Sequence, residues 1–446
     1  MQPVKIHIDP FTSELKTKKK ISFLTLKKIK AMELNLYAFI YSMRILGLLP
    51  TASITTLAHS RRPPIQCFVY PFLILILVWI NFIRVFIFYW FVRKGNNDLP
   101  DYLVRFLSFG FQFTSCYCRT NMFIKNWRNC LFKAINASIL HSDSKFWKNF
   151  PNFEVSMNRR KDVARIQFVI LSISWATPII GGLINIVRSI ASPNRDDGGL
   201  IVPLEGLIPN GISYILVSML VTVITLATDC TMTFVVGFVA TVDLQTGLQF
   251  VELANWLRQR FEKLEQCEQV DIDQVQTAFF SLTKVLRRLD KVVRSQLGVI
   301  ILFSFYGVLV NLYRFEWSPP KERWSLFPQF AFCIGLLLFS TIPSIVVNNV
   351  SGRTLDQLKL FSFTNFTGSD NFYKLSLLIL FEERQSLEPA ALSLFRLQYI
   401  RNGTLLAVSF QSNVTLPVHP LTFDIILSGL CFDHNFLFDN DGFYFN

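Results

Sequence analysis

The chain has 446 residues, of which 51% are hydrophobic, 45 are Phe and only 17% are charged. That balance excludes an ordinary soluble domain and directs attention to how the apolar residues cluster. The formal charge of +13 suggests an anionic partner, and the placement of its basic residues points to lipid and membrane topology rather than nucleic acid.

The first stretch, "MQPVKIHIDPFTSELKTKKKISFLTLKKIK", lacks the continuous apolar core of a signal peptide. It is expected to stay on the mature protein, on the side where it was made. The following "LNLYAFIYSMRILGLLP" (34–50) is too short to span and carries Arg44. It predicts an interfacial helix closed by Pro50, so residues 1–66 read as a basic cytoplasmic region.

Six segments are long and apolar enough for a hydrocarbon core of about 30 Å. They are Phe68–Val92, Tyr102–Cys118, Ile166–Val187 and Ile208–Val242 within 67–242, then Leu297–Tyr313 and Leu326–Val347 within 296–348. The fourth exceeds one crossing. It reads as a span over 208–228 that continues as a helix into water beyond Asp229.

Past that span the helical period persists. Phe250, Leu253, Leu257, Phe261 and Leu264 follow at helical steps, with Arg258, Arg260, Glu262 and Lys263 on the other face. After the acidic connector "EQVDIDQVQ", Phe279, Leu282, Leu286, Leu289 and Val293 repeat the pattern and run into the fifth span. Residues 243–295 therefore predict a cytosolic helical hairpin. Its stripes are expected to pack on each other or on another subunit, and subunit assembly is the favoured use.

Residues 349–401 read as a cytosolic packing segment. Its apolar run "FYKLSLLILF" (372–381) is too short to span. In "EPAALSLFRLQYIRNGTLLAVSF" (388–410) a Pro, small residues and a basic helical turn lead back to the membrane. Beyond Arg401 no charge occurs until Asp424, but Asn402, Gly403, Gln411, Asn413, Pro417 and Pro420 weaken insertion. Residues 402–446 are a degraded seventh span with an atypical tail.

Basic residues set the orientation. Segments 1–66, 119–165, 241–295 and 350–401 hold 11, 10, 8 and 6 Lys and Arg, against 7 in the three loops on the other side. The expected fold is thus all-α and polytopic, with the N-terminus in the cytoplasm. Glycosylation sequons at Asn136, Asn349, Asn365, Asn402 and Asn413 fall outside the loops this threading places outside, and the charge asymmetry outweighs them. The eight cysteines read as reduced packing residues. The five histidines show no metal-ligand spacing and no glycine loop cradles phosphate, so no enzyme, cofactor or metal is expected.

Two stretches, "MRILGLLP" (43–50) and "EPAALSLFRLQYIRNGTLLAVSF", together with the cytoplasmic N-terminus, long fourth helix and hairpin, carry a likeness. The chain resembles the arthropod gustatory receptor family of the gustatory and odorant receptor superfamily, over about residues 40 to 410. The resemblance implies a homo- or heterotetrameric ligand-gated cation channel in the plasma membrane with seven spans and inverted topology. Its subunits would join through cytosolic helix ends, its last helix would line the pore, and a small tastant would enter the outer half of the bundle. After Phe410 the sequence has neither the Thr-Tyr nor the Gln-Phe pair of that family's last span, so a non-conducting truncated variant is an alternative.

Ligand sites in helical bundles are apolar with a few polar tips. Phe109, Trp175, Tyr214 and Phe330 are the ligand-binding candidates on that ground, with packing or lipid contact as the alternative for each. Asp229 is the gating candidate, at the inner end of its span, among Thr222, Thr225, Thr228, Thr231 and Thr233, whose hydroxyls are expected to bond back to helix carbonyls. Arg84 is expected to snorkel outward. A G-protein-coupled receptor is disfavoured by the threading and by its missing triplet and Asn-Pro turn. A transporter is disfavoured by the lack of an internal repeat.

Overall fold

The structure, a computed structural model, describes residues 34–50, 64–87, 90, 99–128, 157–191, 212–262, 272–317, 320–364, 393–394 and 398–399. Among them are seven α-helices: α1 (34–45), α2 (Gln66–Ile87), α3 (Leu99–Trp127), α4 (Met157–Ala191), α5 (Ile212–Glu262), α6 (Ile272–Trp317) and α7 (Pro320–Thr364). The strands β1 (Ser393–Leu394) and β2 (Gln398–Tyr399) form a two-residue antiparallel ladder, and β1 touches α6. The sequence predicts a helical turn there. A two-residue pairing leaves no periodicity by which to tell strand from helix.

Among the described residues, five helices carry stretches long and apolar enough to cross a membrane: Gln66–Ile87, Arg159–Leu183, Met219–Gln259, Val275–Trp317 and Leu326–Leu358. The expected second span, Tyr102–Cys118, lies in α3 and does not reach that apolarity. The reason is its polar content. Arg105, Thr114, Ser115 and Arg119 are all buried, so α3 turns polar side chains into the bundle, where it touches α2, α5 and α6. The degraded seventh span lies outside the described residues.

At the centre stands α5, which touches α2, α3, α4, α6 and α7. Its 51 residues contain no Pro, so nothing interrupts its hydrogen-bond ladder. At 1.5 Å per residue it is about 75 Å long, well over twice a hydrocarbon core. The helix therefore continues far beyond one crossing. The same holds for α6 and, unanticipated from sequence, for α7, which runs to Thr364.

The hairpin stripes close on each other. Phe250 and Phe279 meet edge to face with ring centroids 5.2 Å apart. Leu253, Leu257, Leu282, Leu286, Leu289 and Val293 are buried with them in this single chain. Leu264 and the side chain of Phe261 lie outside the described residues. Polar links fix the register with α7: Ser344 Oγ donates to Asp243 Oδ2 at 2.7 Å, and Thr354 Oγ1 donates to the Phe250 carbonyl at 3.1 Å.

On the other side, α4 runs antiparallel to α5. Gln167 Nε2 donates to the Thr241 carbonyl at 3.2 Å, and Gly182 faces Leu226. This register sets Asp229 opposite about residue 178 of α4.

The helix α1 ends earlier than Pro50. Gly47 adopts φ +66°, and Leu48 N–H returns to the Met43 carbonyl at 2.8 Å, which closes the helix with a left-handed residue. Phe39, Ile40 and Met43 are buried, whereas Leu34, Tyr41 and Ile45 are exposed. Two side chains of α3 hold the turn that follows: Arg119 Nη1 donates to the Leu46 carbonyl at 2.5 Å and Asn126 Nδ2 to the Leu48 carbonyl at 2.9 Å.

Candidate functional site

A cavity of about 310 Å³ opens between α4, α5 and α7. Ile170, Ile173, Ser174 and Thr177 come from α4, Thr233, Val236 and Gly237 from α5, and Pro328, Ala331, Phe332, Gly335, Leu336 and Phe339 from α7. The lining is mostly aliphatic and aromatic, with three hydroxyls on one side.

Local chemistry explains the shape. Ser174 Oγ donates back to the Ile170 carbonyl at 2.8 Å and lies 3.4 Å from the Thr233 carbonyl. Thr233 Oγ1 answers with a 3.2 Å bond to the Ser174 carbonyl. The two hydroxyls thus lock α4 to α5, as small hydroxyl residues do between apolar helices. Gly237 permits this approach, because a Cβ there would lie 2.7 Å from Ser174 Oγ and 3.0 Å from Phe39. Gly335 does the reverse. A Cβ there would meet nothing within 4 Å, so the missing side chain is part of the open space. Size and lining suit a small apolar molecule with one or two hydrogen-bonding groups.

None of the predicted aromatics whose side chains are described lines this cavity. Trp175 stands beside it on α4 but turns toward α1, donating from Nε1 to Ser42 Oγ at 3.0 Å with its ring 5.0 Å from Phe234. Phe330 is half-buried on α7 among the lining residues without joining them. Phe109 belongs to a separate aromatic group, 5.1 Å from Phe82 and 5.7 Å from Phe86. The side chain of Tyr214 lies outside the described residues. Arg84 is held by Asn81 Oδ1 at 3.0 and 3.2 Å.

The threonine cluster divides. Thr228 bonds back to Ile224 at 2.8 Å and Thr231 to Ala227 at 2.9 Å, as expected for hydroxyls inside a helix. Thr231 also accepts from Arg119 Nη2 at 2.8 Å, while the same nitrogen reaches the Ala227 carbonyl at 2.9 Å. A buried guanidinium on α3 thereby joins the turn after α1 to the middle of α5. Sequence reasoning missed Arg119, Ser174, Gly237 and Gly335. The one available signal was the small and hydroxyl residues around Trp175 and within the threonine cluster. None of the five described cysteines is in a disulfide, and no group of metal-holding side chains occurs among the described residues.

Apolar helices gathered around a central long helix, with a mostly apolar cavity between three of them, define a multi-pass helical membrane protein. No family model and no curated protein matches the sequence. Among solved structures, the chain is similar to the insect olfactory receptor OR5 from Machilis hrabei, at TM-score 0.58 and 10% identity over 89% of this chain and 99% of that one. It is also similar to that receptor in complex with eugenol, at TM-score 0.59 and 13% identity over 91% and 98%. At such identity the likeness is one of fold.

Proposed function

We propose that the protein is a chemoreceptor of the insect olfactory and gustatory receptor superfamily, on the gustatory side, which binds a small tastant and opens a cation conductance. The observation that carries the reading is the cavity between α4, α5 and α7, in a fold shared over nearly the whole chain with an olfactory receptor solved with eugenol. The cavity is the ligand site on this reading, with Ser174, Thr177 and Thr233 as its polar contacts. Phe109, Tyr214 and Phe330 remain candidates for a route to it, and Trp175 for the wall behind it. Asp229 sits on the same helix, one turn from Thr233, where a shift of α5 would move it.

The working unit is a homo- or heterotetramer in the plasma membrane, with residue 1 in the cytoplasm. Because the hairpin stripes are covered within one chain, subunit contacts use other faces of α5, α6 and α7 in this arrangement. Whole-cell recording tests the reading. Cells producing the chain are exposed to small phenols and alcohols, eugenol included, and a reversible cation current is expected that Gly335→Val reduces. Solute uptake without current would favour a transporter. A tag at residue 1 that is accessible in intact cells would contradict the threading.

A further inference from the structure

The face of α6 opposite its buried stripe is cationic. Lys284, Arg288 and Lys291 are exposed at steps of four and three, which places them within one third of the helix circumference. Among the described residues no carboxylate is bonded to any of the three. The antiparallel helix α3 adds to this face. Asn121 Nδ2 donates to Ser295 Oγ at 2.7 Å and Lys125 Nζ reaches the Lys291 carbonyl at 3.5 Å. That register brings the exposed Arg128 level with Arg288. Between Asp101 and Asp143 the sequence has no acidic residue, so α3 offers no local counter-charge at this end.

The height of the face matters as much as its sign. Trp127, 53% exposed, stacks edge to face on Phe68 with centroids 5.2 Å apart. Phe68 begins the apolar run of α2, so Trp127 and Lys125 mark the edge of the apolar zone. An exposed Trp beside basic residues at such an edge is the pattern of a membrane–water interface. From Lys291 the cations descend away from it over about 10 Å of helix. That depth exceeds one layer of phosphate diesters.

We propose that this α3–α6 face binds an anionic phospholipid whose headgroup carries phosphates beyond the diester, such as a phosphorylated phosphatidylinositol. The diester lies beside Lys291 and Lys125, and the further phosphates reach Arg288 and Lys284. Clustered basic residues just outside a membrane segment attract such headgroups at about one factor of five per residue. The site needs only the membrane placement of the fold and no conductance, so its failure and a failure of channel activity are separately visible.

The test is lipid retention by the purified chain in phosphatidylcholine nanodiscs containing either a bisphosphorylated phosphatidylinositol or phosphatidylserine, read by native mass spectrometry. Preferential retention of the polyphosphorylated lipid is expected. The triple variant Lys284→Gln, Arg288→Gln, Lys291→Gln should weaken it about a hundredfold. The exposed pair Lys161→Gln, Arg165→Gln on α4 should leave it unchanged. The charge-keeping triple Lys284→Arg, Arg288→Lys, Lys291→Arg should retain the lipid, which separates lost charge from lost folding. Equal retention by the neutral triple would overturn the proposal. So would equal loss in the charge-keeping triple, or no preference over phosphatidylserine.

Discussion

Arg160 on α4 and Glu252 on α5 form a two-bond ion pair, Nε to Oε1 at 2.7 Å and Nη2 to Oε2 at 2.5 Å, with both side chains closed to solvent. The forked geometry satisfies both oxygens. It pins the start of α4 to α5 well beyond the cavity. Arg160→Ala would strand a buried carboxylate, and breaking such a pair from one side costs about 3–5 kcal/mol. We expect a large fall in thermal stability and in recovery of monodisperse protein. The double variant Arg160→Met, Glu252→Leu should recover most of it, which a fluorescence-detected melting series would show.

The turn after α1 depends on Gly47. A side chain there would adopt a left-handed conformation, at about 1–2 kcal/mol, and its Cβ would lie 3.2 Å from Ile74. Gly47→Ala should therefore lower the melting temperature. Arg119→Met should do so more strongly, because it removes the donors that the Leu46 carbonyl and the α5 segment Ala227–Thr231 share. Equal stability of wild type and Arg119→Met would show that the guanidinium does not join these elements.

Gly237 and Gly335 give opposite expectations from one chemical change. Gly237→Ala drives a methyl into Ser174 Oγ and Phe39, and overpacking of this kind costs about 1–3 kcal/mol. Gly335→Ala enters open space, so stability should hold while the cavity shrinks. Side-by-side melting curves, followed by concentration–response recording with an activating ligand, check both. The expected pattern is loss of stability at 237 and loss of ligand potency at 335.

Phe279 fills the hairpin core against Phe250. Phe279→Ala should cost about 3–5 kcal/mol, as deletion of a buried ring does. Denaturation of the purified chain in detergent measures it. A loss below about 1 kcal/mol would mean that the stripes are not closed on each other in solution.

The long helices were legible because their apolar stripes repeat over many turns. Phe250 to Leu257 and Phe279 to Val293 announced the helices and their apolar faces, but left open whether those faces meet each other or another subunit, and favoured the second. The span predicted in α3 was less secure, since Arg105, Thr114, Ser115 and Arg119 lie in or beside it. Whether such residues face neighbours or lipid depends on contacts far away in sequence. Arg119 illustrates the limit. In the sequence it is one more basic residue on the cytoplasmic side, yet in the fold it is buried and bonded to α5 and the turn after α1.

The cavity was illegible for a related reason. Its lining comes from residues around 170, 235 and 335, and small residues such as Gly237 and Gly335 look alike until their surroundings are known. The aromatic candidates drew attention because they are large, but a small residue can either close a gap, as Gly237 does, or leave one open, as Gly335 does. Trp175 came nearest, one residue from Ser174, and faces the other way.

The central claim is that filling the α4–α5–α7 cavity opens a cation conductance, and it can be tested without knowing the natural ligand. Gly335→Cys places a thiol in the open space, and benzyl methanethiosulfonate tethers an apolar ring there. A sustained inward cation current that develops in the variant, and not in the wild-type chain, is the predicted result. Complete labelling of Cys at position 335, confirmed by mass, with membrane conductance unchanged would contradict it.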